Sequence, residues 1–470
     1  MAQINDRRGT AVETSRGAGK SKHNYFDSDQ VQYPRRPHKK GQRSVSETVL
    51  ETLTLQPCRN PPNLPTSNRF QQIQFSSSQR RRRKHQHHGR NSINFEFNRK
   101  WVYSSRDVSA YKDRVVVASY NVLGVENVLK HPDLYSKVLP EFLEWDRRKE
   151  LICKELNHYN AGIVCFQEVD RFNDLDKLLR KDGYRGVYKA RTGEACDGCA
   201  IFWKHKQFTL LHEETIEFQS FGLRDNVAQL CVLQMSCNQP ASKLCQKTSK
   251  TMPMQCPSLV IGNIHVLFNP NRGDIKLGQV RLFLENAHKL SQQWGSIPVL
   301  LGGDLNSLPQ SVIYQFLASS KLDILLHDRR NISGQLEHAP QCRNFGFQNN
   351  NVARPFIHRW SEEEIRLATG SEGVTDLQHL LKLSSAYVGV AGNYRSRDSC
   401  GEPLATSYHS RFMGTVDYLW HTEKLVPVRV LETLPIDILR RSGGLPNERW
   451  GSDHLALVCE LAFLDDSSRM

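Results

Sequence analysis

Several short groups of polar residues in the sequence are typical of phosphate and metal chemistry, and each adjoins an apolar run. The most informative is Gly302-Gly303-Asp304-Leu305-Asn306-Ser307, directly after the apolar residues 297–301. Alternate residues of a strand point to the same face, so Asp304 and Asn306 leave one sheet edge together, where a hard cation or a phosphate can bind. Taken alone, the run also fits a tight turn, in which Asp, Asn and Gly are common.

The same arrangement recurs at other strand-like runs of the chain. The polar residues concerned are Asn121 after 115–120, Glu168 after 162–167, Asn263 and His265 at the end of 259–265, Asp417 before 418–420, and Asp453 with His454 before 455–458. Strand ends that collect Asn, Glu, Asp and His predict one convergent pocket. The presence of these other polar strand ends favours a catalytic site over an isolated turn at Asp304.

Seven short motifs carry a family resemblance. They are Ser119-Tyr120-Asn121, Gln167-Glu168-Val169, Asp197-Gly198-Cys199-Ala200, Asn263-Ile264-His265, Gly303-Asp304-Leu305-Asn306-Ser307, Asp417-Tyr418 and Ser452-Asp453-His454. Their order and approximate spacing resemble the endonuclease/exonuclease/phosphatase superfamily, and within it the carbon-catabolite-repressor-type deadenylases of the plant and angel-like branch. The resemblance covers roughly residues 109–464. Each motif alone is weak, but seven in series are specific.

The resemblance implies a magnesium site. Mg²⁺ prefers oxygen ligands and keeps several waters, so one or two carboxylates together with the substrate phosphate suffice. Glu168 is the first candidate ligand, with Asn121 and Asp453 completing or supporting the site. A lone Glu after a strand is by default solvent-exposed, but the buried run before it and the matching motif favour a ligand. One or two ions are compatible with the motifs, and Mn²⁺ can substitute.

The resemblance also assigns the catalytic roles. Asp304 is expected to orient and deprotonate the attacking water. Asp417 is expected to keep His454 protonated, because a carboxylate beside an imidazole favours the charged ring. Asn306 and His454 would then donate hydrogen bonds to the phosphate oxygens as negative charge develops.

Four further residues are candidates for substrate binding. Asn263 and His265 share one strand face and are expected to donate to phosphate oxygens, although a histidine at a strand end is often a satisfied structural residue. Pro270 and Phe412 match the positions at which similar deadenylases hold an adenine base between a proline ring and an aromatic face. Stacking of this kind contributes about 1 to 3 kcal/mol. A loop proline and a core phenylalanine are the alternative interpretation.

One position departs from the wider superfamily. In the endonuclease branch an acidic residue follows the first motif's Asn by two positions, whereas this chain has Leu123 there. Deadenylase-like members share this lack. It argues against a role in the repair of abasic DNA.

The positive charge is concentrated at the N-terminus. Residues 1–100 contain 20 Lys/Arg and 7 Asp/Glu, which leaves 43 and 42 for the other 370 residues of a chain with formal net charge +14. This segment is poor in apolar residues and lacks periodicity, so residues 1–108 are predicted to be a disordered basic tail. Its cluster at 80–85 is compatible with a nuclear import signal, a phosphate contact or a solubilising run.

Composition excludes some classes of protein. No apolar run is long enough to span a membrane, and the first residues lack a signal-peptide core. The cysteines lie mostly in apolar patterns, among them Cys153, Cys165, Cys231 and Cys459, which indicates reduced thiols of a nuclear or cytosolic protein. Cys196 and Cys199 have the spacing of half a zinc site without a second pair, which favours a turn.

The remaining pattern predicts an α/β fold. Trp145 to Tyr159 and Asp274 to Trp294 are the clearest amphipathic helices. Strands alternate with them, which fits a four-layer α/β/β/α sandwich of two mixed β-sheets flanked by helices. The catalytic domain is predicted to span 109–466, with a polar insertion at about 330–372.

These observations support the hypothesis of a magnesium-dependent 3′-to-5′ exoribonuclease that shortens poly(A) tails at mRNA 3′ ends and releases 5′-AMP. A phosphatase acting on a small phosphorylated nucleotide, similar to nocturnin, is the alternative enzyme. A catalytically silent RNA-binding regulator is the alternative without turnover. Proteins of a deadenylation complex are possible partners, but no leucine-rich-repeat docking module is present. The nucleus, the cytoplasm or both are the expected location.

Overall fold

The computed structural model describes residues 99–236, 256–335 and 360–464. The strands in these ranges are β1 Trp101–Tyr103, β2 Arg114–Asn121, β3 Ile163–Gln167, β4 Tyr184–Ala190, β5 Gly198–Lys204, β6 Phe208–Glu217, β7 Val227–Met235, β8 Ser258–His265, β9 Val299–Asp304, β10 Lys321–Asp323, β11 Asp376–Gln378, β12 Leu383–Ser385, β13 Ser407–His409, β14 Phe412–Gly414, β15 Asp417–Thr422, β16 Leu425–Leu431 and β17 Leu457–Phe463. The α-helices are α1 Val125–Lys130, α2 Pro140–Leu143, α3 Trp145–Tyr159, α4 Phe172–Lys181, α5 Gly273–Gln293, α6 Val312–Ser319, α7 Glu362–Thr369 and α8 Ile436–Arg441.

Two large mixed sheets form the centre of the fold. The seven-stranded sheet has the order β1-β16-β17-β2-β3-β5-β4, and the six-stranded sheet has the order β12-β15-β9-β8-β7-β6. Strands β2 and β3 are parallel, as are β8 and β9, while the other neighbours are antiparallel. Two small antiparallel pairs, β10-β11 and β13-β14, lie outside these sheets.

The sheets pack face to face over an apolar core to which both contribute. Ile163 and Ile201 come from one sheet, and Ile261 and Leu300 from the other. On the outer faces, α3 and α4 cover the seven-stranded sheet, and α5, α6 and α7 cover the six-stranded sheet. The predicted four-layer α/β/β/α sandwich is confirmed.

Strand register determines where the polar strand ends meet. In the six-stranded sheet, His265 of β8 pairs with Asp304 of β9, and Asp304 pairs with Asp417 of β15. In the seven-stranded sheet, Asn121 of β2 pairs with Gln167 of β3. Parallel strands end at the same edge of a sheet. The register therefore gathers these residues at one end of the sandwich.

The sequence predicts the two longest helices closely but misses a shorter one. Helix α3 has the predicted bounds, and α5 begins and ends one residue earlier than predicted. The last part of the polar insertion predicted at about 330–372 is not a loop, because Glu362–Thr369 is a helix with a capping box between Ser361 and Glu364. Its Leu367 is buried in the core with residues of α5. Residues 336–359 lie outside the described residues.

The predicted domain boundary near Val108 is too late. Strand β1 pairs with β16 and forms an edge of the seven-stranded sheet. Before it, the guanidinium of Arg99 forms an ion pair of 3.1 Å with Glu155 and donates to the carbonyl oxygens of Ala456 and Glu432. The domain therefore includes residues from 99 onward. Residues 1–98 of the basic tail, which is predicted to be disordered, lie outside the described residues.

Among the described residues, no helix has the length and apolar character required to cross a bilayer. The four cysteines predicted to be reduced thiols, Cys153, Cys165, Cys231 and Cys459, are all free and buried.

The Arg99 contact leads to a stability prediction. Arg99→Ala removes one partner of a buried ion pair and leaves the Glu155 carboxylate and two carbonyls without their donor, so we expect a loss of about 3 to 5 kcal/mol in the free energy of unfolding. Urea denaturation followed by circular dichroism measures it. Arg106→Ala, at an exposed position, is the control and should change stability by less than about 0.5 kcal/mol. A loss of equal size in both variants would contradict the inclusion of residue 99 in the domain.

Candidate active site

The two sheets contribute one carboxylate each to a shared cleft, and Asn121 lies between them. Its side-chain amide donates to Glu168 Oε1 at 2.9 Å and to Asp304 Oδ2 at 3.1 Å. Asn121 and Glu168 belong to the seven-stranded sheet and the turn after it, whereas Asp304 ends β9 of the six-stranded sheet. The convergence predicted from the strand ends is therefore present.

Glu168 lies in a turn with unusual backbone geometry, and hydrogen bonds hold its carboxylate. Its φ is 56°, in the left-handed region that non-glycine residues rarely adopt. The amide of Asn127 in α1 donates to Oε2 at 2.7 Å, and the backbone N–H of Gly124 donates to the same oxygen at 3.1 Å.

The charge of Glu168 suits a cation. Burial raises its pKa, but the neighbouring His265 and the hydrogen bonds from Asn121 and Asn127 outweigh burial and lower the pKa below its usual range. Glu168 is therefore an ionised, partly exposed carboxylate at neutral pH.

His454 and Asp417 form the ion pair that the resemblance implies. His454 Nδ1 donates to Asp417 Oδ2 at 2.8 Å, and both side chains are buried. Burial lowers the pKa of His454, but the charges of Asp417 and Asp453 and the hydrogen bond that His454 donates to Asp417 raise it well above its usual value. His454 is therefore positively charged at neutral pH, with Nε2 3.9 Å from Asp304 Oδ2.

Asp304 lies at the centre of the cluster. Burial raises its pKa and the Asp417 carboxylate raises it further, whereas His265 and His454 oppose this shift. Oδ1 accepts a 2.8 Å hydrogen bond from the backbone N–H of Asn306. Oδ2 faces the amide of Asn121 and lies 3.7 Å from His265 Nε2.

The cleft has two groups of potential cation ligands. Oxygen or nitrogen atoms of Asp304, Asp417 and His454 lie within 4.8 Å of one another. A protonated imidazole that donates to Asp417 is a poor metal ligand, so His454 fits a hydrogen-bond donor better. Glu168 and Asp304 supply the oxygen atoms that Mg²⁺ prefers. Asn121, predicted as a ligand, turns its amide N–H groups to these carboxylates, and its Oδ1 accepts from the backbone N–H of Leu123 at 3.0 Å. The Asp417 Oδ1 atom is buried and has no hydrogen-bond partner, which leaves it available to a cation or a water.

Asn306 and His265 lie together at the cleft. Asn306 has a φ of 45°, and its side-chain amide lies 3.2 Å from His265 Nε2 and donates to the carbonyl of Val266 at 2.9 Å. His265 is slightly exposed, and its Nδ1 has no hydrogen-bond partner. Both side chains are close enough to Asp304 to contact a phosphate bound there.

The structure contradicts the role predicted for Asn263. Its side-chain amide donates to the carbonyls of Phe166 and Ala200, and its Oδ1 accepts from Gln167 Nε2 at 2.7 Å. The side chain is fully buried between the sheets. Since both of its N–H groups are used, Asn263 connects the two sheets beneath the site instead of binding phosphate.

Asp453 is also engaged by the protein. Its Oδ2 accepts from the hydroxyl of Tyr135 at 2.9 Å, and its Oδ1 lies 3.4 Å from Ser452 Oγ. The carboxylate contributes negative charge near His454. This placement favours support of His454 over direct metal binding, so the predicted ligand role has less support here than at Glu168.

The two predicted base-binding residues are partly exposed. Pro270 lies in the loop between β8 and α5, five residues after His265. Phe412 begins β14, and its ring centroid is 5.9 Å from that of His409. The β13-β14 hairpin is connected to the site, because Tyr408 N donates to the carbonyl of Asp453 at 2.8 Å.

Three contacts with the predicted site residues have no signal in the sequence. Asn127 holds Glu168, Tyr135 holds Asp453, and the buried Lys276 donates to the carbonyl of Asn306 at 2.6 Å. None of the three belongs to a recognisable motif. Only the fold brings them to the residues they contact.

A cleft of carboxylates, amides and a charged histidine between two mixed sheets is the arrangement of a phosphoester hydrolase. Residues 118–454 match the Endonuclease/Exonuclease/phosphatase family, and the chain belongs to this family. Its members hydrolyse phosphodiester or phosphate ester bonds.

Two curated proteins and one solved structure are similar to this chain over most of its length. The chain is 56% identical over 422 residues to carbon catabolite repressor protein 4 homolog 5 of Arabidopsis thaliana, and the match covers 88% of this chain and 91% of the relative. It is 30% identical over 391 residues to protein angel homolog 2 of Homo sapiens, with 73% and 68% covered. The crystal structure of ANGEL2, a 2′,3′-cyclic phosphatase, in complex with adenosine-2′,3′-vanadate matches with a TM-score of 0.62 and 31% identity, covering 78% of this chain and 99% of that one.

The His454–Asp417 pair predicts a pH dependence. Protonated His454 is present below its raised pKa, so activity that needs it falls as the pH rises through that value. Asp417→Asn removes the largest effect that raises the pKa of His454 and should move this alkaline fall to lower pH. Histidine-selective NMR titration and the pH profile of kcat/KM measure the shift. The exposed Asp437→Asn is the control, and an unchanged His454 titration in Asp417→Asn would refute the assignment.

Proposed function

We propose that the protein is a metal-dependent hydrolase of phosphodiester bonds at RNA 3′ ends. The observation that carries the proposal is the single cleft in which Glu168, Asp304 and the His454–Asp417 pair meet. These groups combine an ionised carboxylate for a cation, a buried carboxylate for a proton and a fixed positive charge. Hydrolysis of a phosphodiester uses all three.

Glu168, supported by Asn121 and Asn127, is the group proposed to hold Mg²⁺. A bound Mg²⁺ would polarise the phosphate and offset its negative charge. Mn²⁺ prefers the same oxygen ligands and can substitute.

The chain's own residues supply the remaining steps. Asp304 Oδ2 is proposed to orient the attacking water and accept its proton, which a carboxylate with a raised pKa does more effectively near neutral pH. His454 would donate a charge-assisted hydrogen bond from Nε2 to a phosphate oxygen. At the same edge, the Asn306 amide would donate to another phosphate oxygen in place of its contact with His265 Nε2, and His265 would then contact the phosphate as well.

For the substrate, we propose adenylate at the 3′ end of poly(A), with 5′-AMP as product. Phe412 and Pro270 are both partly exposed, so a base can stack on either ring, as the motif positions imply. The motif resemblance to carbon-catabolite-repressor-type deadenylases supports the same substrate.

A second candidate reaction is hydrolysis of a 2′,3′-cyclic phosphate. It is favoured by the match to the ANGEL2 structure, whose ligand is adenosine-2′,3′-vanadate. Both reactions hydrolyse a phosphodiester attached to the terminal ribose, at its 5′ oxygen in poly(A) shortening and at its 2′ and 3′ oxygens in the cyclic phosphate, so they require similar groups at the phosphorus. They differ in which bond breaks, so their products separate them.

The first test compares RNA ends. Purified protein is incubated with Mg²⁺ and end-labelled RNAs that finish in A, C, G or U tracts, each with either a 3′-hydroxyl or a 2′,3′-cyclic phosphate. A ladder confined to A-ended RNA with a 3′-hydroxyl supports poly(A) shortening. Loss of the cyclic phosphate without shortening supports the second reaction. If every RNA stays intact while a small phosphorylated nucleotide loses phosphate, neither RNA reaction is correct.

The second test removes the proposed catalytic groups. Glu168→Ala and His454→Ala should each lower kcat/KM by roughly 10²- to 10⁴-fold, because each removes a group that acts on the transition state. Glu141→Ala, an exposed position on α2, should leave kcat/KM unchanged. Circular dichroism verifies that all three variants fold. Full activity in both site variants would exclude this cleft as the active site.

A further inference from the structure

A buried lysine beneath the cleft has no part in the chemistry proposed above. Lys276 lies in the first turn of α5 and is fully buried. Its ammonium donates to the backbone carbonyl of Asn306 at 2.6 Å and lies 3.4 Å from Gln335 Oε1. Lysine is almost never fully buried without a charged partner. Here no carboxylate of the described residues lies within ion-pair distance of Lys276.

The carbonyl that Lys276 contacts belongs to a backbone position under several constraints. Asn306 has a left-handed φ of 45°, and its N–H donates to Asp304 Oδ1. The same residue directs its side-chain amide to His265 Nε2. A shift of the peptide after Asn306 would therefore move a side chain at the cleft.

Neighbouring positions of the same loop are fixed by other contacts. The hydroxyl of Tyr418 donates to the carbonyl of Ser307 at 2.8 Å, and Leu308 N donates to the carbonyl of Ser333 at 2.9 Å. These contacts hold the loop onto the fold one and two residues beyond Asn306. The contribution of Lys276 is thus local to Asn306.

From this geometry we infer that Lys276 is a positioning residue for the reaction. It fixes the carbonyl of Asn306 from below and thereby holds the Asn306 amide against His265 at the cleft. The inference rests on the proposed function for the role of Asn306. A neutral side chain of similar length would fill the same space without holding this carbonyl.

The test replaces Lys276 with methionine in the full chain. Lys276→Met should lower kcat about 10²-fold with KM within twofold of wild type, since a small misplacement of a reacting group has effects of this size. The thermal unfolding midpoint should change little, because the loss of the hydrogen bond to the Asn306 carbonyl is offset by an apolar chain in a buried place where burial lowers the pKa of Lys276 to about 7. Lys289→Met, at an exposed position of the same helix, is the matched control and should change neither property.

A second readout does not depend on the substrate. The ring signals of His265 in histidine-selective NMR, assigned with His265→Asn, should shift in Lys276→Met and stay in place in Lys289→Met. Unshifted His265 signals, or a kcat of Lys276→Met within twofold of wild type, would overturn the inference. If kcat and thermal stability fall together, Lys276 has a structural role only, and the inference of a positioning role is also overturned. Absence of turnover by wild type on every RNA would refute the proposed function, while the His265 signals would still decide the role of Lys276.

Discussion

The site depends on one neutral amide between two negative charges. Asn121 uses both of its side-chain N–H groups, one on Glu168 and one on Asp304, and so connects the two sheets at the point where the cleft opens. Without it, the partly exposed Glu168 carboxylate and the buried Asp304 carboxylate would face each other without a donor between them, and like charges repel. The contact links the Glu168 and Asp304 carboxylates, which come from different sheets, and the sandwich core lies behind it.

The strands and the polar residues that meet at their ends could largely be predicted from the sequence, because the strands are apolar and the residues that end them are polar. A run such as 115–120 has too few polar residues to be a surface element, so its terminal Asn121 is confined to a sheet edge. Helix α3 was predictable to the residue because its apolar positions recur at the helical period and Asn160 ends it in a left-handed conformation. Motif order then identified which strand ends meet.

What the sequence could not provide is the direction of individual side chains. Periodicity placed Asn263 on the same strand face as His265. It could not show that the Asn263 side chain already forms hydrogen bonds with Gln167 and with two backbone carbonyls. Asn127 and Lys276 contact site residues 41 and 30 positions away, and no local pattern encodes such a contact. The helix Glu362–Thr369 was missed for another reason, because the sequence does carry the Ser361-x-x-Glu364 capping box that begins it.

Left-handed backbone at Leu123, Glu168 and Asn306 has a consequence for evolution and engineering. Each of these non-glycine residues stores conformational strain that the rest of the sandwich must offset. At Glu168 and Asn306, substitutions that relax the strain would favour heat resistance at the expense of the site, so selection for thermostability alone would accumulate changes at these two positions. A stabilised form of this enzyme is better sought in the outer helical layers, where tolerance of heat and turnover do not compete.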